Sequence, residues 1–385
     1  MSRLEVAACL ALFVVGVYST SFGPALGILA DDFGVSLDHA GIMLTLLFLG
    51  SIVASGSMAV WLHRFDPKHF AGLGLVLVAV GTVGIGLVTS WAAVLASVCV
   101  VGAGGGLMDA GSHTIAARES ADVSRGVNRL NVFFAIGAIV GPLWSGSVLS
   151  VDEGARAFVY VGIAGLAAAV AATMLSAPSS PVREVATAGH VSHTAETRMT
   201  ALAWAIGALL FLYVGAEFGL GSWVASFTER EFETGIFAGA LITAGYWAAL
   251  MVGRVISGML FAHGVPAQRV LIGSVAAGMV ASAAIAFASG LFLAAAVAAF
   301  ATGLAFGPIW PSAMSIAASG RSSNAPAAMV TIGNAGGFVF PWLQGRLLVS
   351  AGGSTGIGLS AVLCAAMLVI AWRIGGQAGR NRSAS

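Results

Sequence analysis

Along the 385 residues, apolar positions gather in blocks of about twenty, separated by short polar stretches. A bilayer core of roughly 30 Å takes about 20 mostly apolar helical residues to cross. Measured by that length, the pattern predicts twelve membrane-spanning helices. They lie near 5–29, 40–61, 70–89, 92–117, 128–150, 156–176, 201–226, 236–261, 269–287, 290–318, 326–349 and 356–374. The one long polar stretch, 177–200 (APSSPVREVATAGHVSHTAETRMT), divides the spans six and six and reads as a linker. The expected domains are therefore an N-terminal six-helix bundle over 1–176, the linker over 177–200, and a C-terminal bundle with a short tail over 201–385. An internal echo supports a six-plus-six repeat: Arg125, Gly137 and Gly141 stand 196 residues before Arg321, Gly333 and Gly337.

Composition removes the competing classes. The hydrophobic share is 58 % and the charged share 9 %, with mean hydropathy +0.95. A soluble chain carries about a quarter charged residues, so a soluble enzyme is excluded. With net charge +1 and no basic stripe, nucleic acid is not an expected partner. Cys9, Cys99 and Cys364 lie inside apolar runs and read as small core residues, not as a disulfide or metal framework. The glycine-rich run Gly102–Gly106 has no strand before it and reads as helix-packing glycine. There is no GxxxxGK[ST] loop and no nucleophile–base arrangement, so an enzyme, a cofactor or ATP hydrolysis on this chain is not expected.

Lys and Arg in the short loops give the orientation. With the N-terminus inside, thirteen basic residues fall on the inner side and only Arg156, Arg230 and Arg346 on the outer. The outer side holds eight acids. Both termini and the linker are thus expected in the cytoplasm, with the chain in the cytoplasmic (inner) membrane.

An ionisable group deep in a span costs several kcal/mol, about 2.5–3.5 for Asp at the centre, and marks a functional hypothesis. Three fall inside the spans: Asp109, Glu217 and Arg254. Asp109 has His113 one turn on, on the same helical face, where the two could exchange a proton in a desolvated cavity or simply pin two helices. Glu217 has no basic partner within a turn of its own helix, so it is expected either protonated or lining a wet cavity. Arg254 can snorkel, and reads as a gating or structural group. Pro308 and Pro311 flank Trp310 in the tenth span, freeing carbonyls that a membrane tolerates only against a protein cavity, and this makes Trp310 a pocket-wall candidate. Asn131 and Phe134 of the fifth span, and Asn334 and Gln344 of the eleventh, could contact a solute or bond a neighbouring helix. Trp223, Tyr246 and Trp247 could line a pocket or belong to an interface belt, where Trp61, Trp91 and Trp372 are expected.

These spans, the central linker and the six-plus-six echo resemble the major facilitator superfamily over essentially the whole chain. Five strings are similar to its branch of fucose permeases and sodium-dependent glucose transporters: GAGGGLMDAGSH (102–113), RLNVFFAIGAIVGP (129–142), YVGAEFGLGSW (213–223), GLAFGPIWPS (303–312) and GNAGGFVFPWLQG (333–345). The resemblance implies an all-α fold of two pseudo-symmetric six-helix bundles that alternate access to a midplane pocket. It also implies coupling to a cation, H+ or Na+, at Asp109, and a sugar cavity beside Glu217. GAIVGP also resembles a fifth-span motif of drug antiporters. The family's basic loop between spans two and three survives only as Arg64 and Asp66, and the first span, YSTSFGPALG, lacks the acid some sugar symporters carry. The expected function is cation-coupled transport of a small polar solute, such as a monosaccharide, by a chain sufficient as a monomer. Proton-driven efflux of hydrophobic or cationic drugs is the alternative, and a transport-dead membrane scaffold is the third reading.

Overall fold

The structure is a computed structural model. It describes residues 1–61, 64–120, 122–179, 200–288, 290–318 and 325–383, without the side chains of 59, 60, 124, 325–328, 330 and 375–383. Most of the expected linker, with Arg183, Arg198 and also Arg321, lies outside the described residues.

The described chain is helical, with no strand among these residues. In order the helices are α1 (Arg3–Asp32), α2 (Leu37–Ala40), α3 (Ile42–Trp61), α4 (Pro67–Leu87), α5 (Trp91–Glu119), α6 (Val123–Leu149), α7 (Arg156–Ser176), α8 (Ala201–Phe232), α9 (Ile236–Ala262), α10 (Ala267–Ala286), α11 (Phe292–Phe306), α12 (Ile309–Ala318), α13 (Ala325–Ser350) and α14 (Gly353–Ser383). Among the described residues, eleven helical stretches are long and apolar enough to cross a membrane. With α13, 26 residues long, they account for the twelve spans expected. The second span includes the short α2 and α3. The tenth is broken at Gly307–Pro308 into α11 and α12, because Pro308 has no N–H to continue the ladder.

Local chemistry fixes several helix starts. Ser2 and Glu5 form a reciprocal capping box on α1. The Asp66 side chain accepts from the Lys68 amide ahead of Pro67, at the first turn of α4. Ser90, Asp122 and Thr200 cap α5, α6 and α8 in the same manner.

The chain divides into two compact units, Met1–Val185 with Thr234–Ala244, and Ala186–Glu233 with Gly245–Ser385. In the first, α1 packs on α6, α4 on α5 and α7, and α3 on α5. In the second, α8 packs on α13 and α14, and α10 on α14 and α11.

Glycines make the closest of these seams. A Cβ at Gly102 or Gly106 of α5 would collide with the Leu47 or Ser51 carbonyl of α3. In the other unit, a Cβ at Gly303 or Gly307 would meet the Tyr246 or Leu250 carbonyl of α9. Each pair is spaced by one helical turn, which lets two backbones touch along a stripe. On span five, a Cβ at Gly137 or Gly141 would meet the Phe13 or Val17 carbonyl; on span eleven, one at Gly336 would meet the Phe211 carbonyl and one at Gly333 the Leu210 side chain.

Charged residues also tie the first unit together at its ends. Arg156 donates to the Val88 carbonyl at 2.9 Å, pairs with Asp32 at 3.3 Å and stacks 4.4 Å over the Phe33 ring. Elsewhere, Ser120 donates to Glu5 at 2.5 Å, with Arg129 3.7 Å from the same oxygen. The Lys68 ammonium donates to the Ala177 carbonyl at 3.0 Å.

Candidate functional site

The second unit contains a charge network built by α8 and α9. Tyr213 and Glu217 stand one turn apart on α8, so their side chains share a face. The Tyr213 hydroxyl donates to Glu217 Oε1 at 2.8 Å. Arg254 Nη2 of α9 donates to the same oxygen at 3.0 Å. The Tyr246 hydroxyl, also from α9, donates to the Glu217 backbone carbonyl at 3.0 Å. Side-chain exposure is 4 % at Glu217 and 26 % at Arg254, so the acid is enclosed while the guanidinium keeps a partly open edge. Arg254 Nε is buried without a hydrogen-bond partner.

This corrects the expectation drawn for Glu217. No basic residue lies within a turn of it on α8, but the neighbouring helix supplies one. Arg254 does not snorkel away: it is the counter-ion of Glu217. The pairing follows from packing: Tyr246, two turns before Arg254 on α9, bonds the Glu217 carbonyl and holds α9 against α8 at this point.

Aromatic rings surround the pair. The Tyr213 ring centroid is 6.1 Å from Phe306 and 6.3 Å from Trp310, and Tyr246 lies 6.5 Å from Phe306 and 5.4 Å from Trp247. Trp310 is half-buried at the start of α12, immediately after the Pro308 break. Glu217, Arg254 and Trp310 are therefore brought together through Tyr213.

Among the other sequence-predicted residues of this unit, Trp223 bonds outside that network. Trp223 is fully buried, with its indole N–H donating to the Pro341 carbonyl at 2.6 Å. Tyr246 and Trp247 are buried too, and so are not belt residues, whereas Trp61 and Trp372 are exposed as a belt requires. Asn334 is half-buried on α13.

In the first unit, Asp109 and His113 do come together, 3.5 Å apart, with the imidazole also 2.9 Å from the Asp109 carbonyl. The desolvated cavity expected around them is not found: the Asp109 side chain is 57 % exposed. Asn131 is exposed and Phe134 half-buried on α6. Arg64 stacks over Trp61, and Asp66 caps α4, so the two loop remnants serve different local roles. No group of three or more His, Cys, Asp or Glu able to hold a metal occurs among the described residues.

Sequence reasoning missed two tyrosines. Tyr213 carries a readable signal, a phenol one turn before the acid in YVGAE. Tyr18 of α1 is buried within electrostatic reach of Asp109, and its hydroxyl fills the space a Cβ at Gly105 would take. All four tyrosines of the chain are buried, and two of them, Tyr213 and Tyr246, donate their hydroxyls to Glu217.

Solved structures with the same fold are numerous. The chain is similar to a D-xylose-proton symporter (TM-score 0.79, 14 % identity, covering 97 % of this chain and 96 % of that one). It is also similar to the nucleoside transporter NupG (0.68, 14 %, 97 % and 98 %) and to a singly substituted form of the E. coli fucose:proton symporter FucP (0.64, 17 %, 97 % and 99 %). No curated protein matches the sequence. The sequence profile described as Major Facilitator Superfamily matches residues 8–341, and by this match over most of its length the chain belongs to the Major Facilitator Superfamily.

Proposed function

We propose that the protein is a secondary active transporter that carries a small polar organic solute, of the monosaccharide class, across the cytoplasmic membrane by alternating access with a coupling cation. The observation that carries this reading is the enclosed Glu217–Arg254–Tyr213 network beside Trp310. A buried acid and base on neighbouring spans are costly to insert and are kept where they handle solute or charge. Because Arg254 balances Glu217, the site presents no bare anion to a cationic drug. It offers guanidinium donors and aromatic faces, which suit the hydroxyls and C–H faces of a neutral polyol. The resemblance to symporters of xylose and fucose points the same way. Asp109, exposed and paired with His113, is assigned the coupling role. The excess of Lys and Arg on the inner side supports a cytoplasmic position for both termini.

The test is uptake of a labelled hexose panel into proteoliposomes, with and without an imposed inward proton or sodium gradient. Glu217→Gln and Asp109→Asn are measured beside the native chain. Gradient-stimulated uptake of one sugar, lost in Glu217→Gln and uncoupled from the gradient in Asp109→Asn, is the expected result. No uptake of any sugar overturns the substrate class, and uptake indifferent to both gradients overturns the coupling.

A further inference from the structure

The α8–α13 seam holds polar atoms that the Glu217 network does not use. Gln344 of α13 is 0 % exposed, and neither its Oε1 nor its Nε2 has a hydrogen-bond partner. Its amide oxygen occupies the space a Cβ at Gly219 of α8 would take. Ser226, seven residues further along α8 and so on the same face, is buried with its Oγ unpartnered as well. A buried amide lacking both bonds is costly, about 1–3 kcal/mol per unsatisfied group, and such groups are rare without a reason.

The helix carrying Gln344 also holds a proline inside it. Pro341 has no N–H, so the Gly337 carbonyl lacks its helical partner and the ladder loses one rung three residues before the unpaired amide. Across the seam, the Trp223 indole N–H of α8 donates to the Pro341 carbonyl.

Resting on the transport reading above, we propose that Gln344 is a solute-binding subsite that recognises two neighbouring hydroxyl groups of a neutral polyol. The amide presents an acceptor and a donor side by side, and a vicinal diol supplies the matching donor and acceptor. The amide is uncharged, so the subsite has no counter-charge for an ionic solute.

The experiment measures hexose uptake KM in proteoliposomes, and Tm in detergent, for the native chain, Gln344→Leu and Gln344→Asn, with monodeoxy sugars in the panel. Gln344→Leu is expected to keep or raise Tm, because an apolar side chain replaces an unpaired amide. Its KM is expected to rise about tenfold, the equivalent of one to two lost hydrogen bonds. One deoxy sugar is expected to show the same loss with the native chain and no further loss with Gln344→Leu. A KM within twofold of native, whatever the change in Tm, overturns the subsite and leaves Gln344 a structural amide. Should Gln344→Leu not fold, Gln344→Asn decides by the same KM criterion. Failure of the native chain to take up any hexose overturns the monosaccharide reading, and the subsite with it; normal native uptake with unchanged variants overturns the subsite alone.

Discussion

Removal of Arg254 gives the sharpest test of the buried pair. At 3.0 Å, opposite unit charges attract by about 332/(20 × 3.0), or ~5.5 kcal/mol, at an effective dielectric of ~20. Desolvation offsets much of that, but deleting one partner leaves the other buried and uncompensated, at a cost of about 3–5 kcal/mol. Arg254 is partly open at its edge, which places Arg254→Met at the lower end, about 3 kcal/mol. Glu217→Gln should cost less, since Gln still accepts from Tyr213 and Arg254 can extend toward water. In the double variant no charge is stranded, and at least ~2 kcal/mol should return as coupling energy. At about 2–4 °C per kcal/mol for a unit of this size, Arg254→Met should lower Tm by about 6–12 °C. The double variant should recover more than half of that. The assay is thermal unfolding of the purified protein in detergent, as a four-member cycle. A Tm loss below about 2 °C in Arg254→Met, or a double variant no more stable than Arg254→Met, refutes the ion-pair argument.

Further outcomes follow from the same geometry. Gly303→Ala and Gly102→Ala each force a methyl into a facing carbonyl and should cost about 1–3 kcal/mol, read as lower Tm and yield; Gly56→Ala, with nothing within 4 Å, should be neutral within about 0.5 kcal/mol. Asp109→Asn removes an exposed group, so Tm should hold within about 0.5 kcal/mol of native while gradient-stimulated uptake disappears. A fall of many degrees would make Asp109 structural. Arg156→Gln loses the Asp32 pair and the Phe33 stack and should cost about 1–3 kcal/mol, with solute KM unchanged in the uptake assay.

Much of the fold is legible in the sequence because a membrane helix announces itself by length and apolarity alone, with little help from its neighbours. The break at Gly307–Pro308, beside Trp310, can be anticipated from two prolines. What cannot be read is who faces whom. Glu217 and Arg254 are 37 residues apart in the chain, and no spacing rule within one helix connects them. Glu5, Asp32 and Arg156 read as loop or end charges, yet they are pinned in specific contacts, because helix ends in the first unit converge on them. Asp109 reads as buried because its span is apolar, but a helix that is apolar on average can still turn one residue toward an open side. Trp223 illustrates the same limit: an indole in an apolar run reads as belt or pocket, and only the Pro341 carbonyl across the seam decides otherwise.

The glycine seams have a consequence for how far such a chain can drift in sequence. Where one backbone rests on another, the requirement is for the absence of a side chain at a few fixed positions, not for any particular partner. Elsewhere the bilayer accepts most apolar residues interchangeably. A protein built this way can replace the bulk of its side chains while its helices keep their spacing. Substrate choice can then change rapidly on a scaffold whose geometry hardly moves.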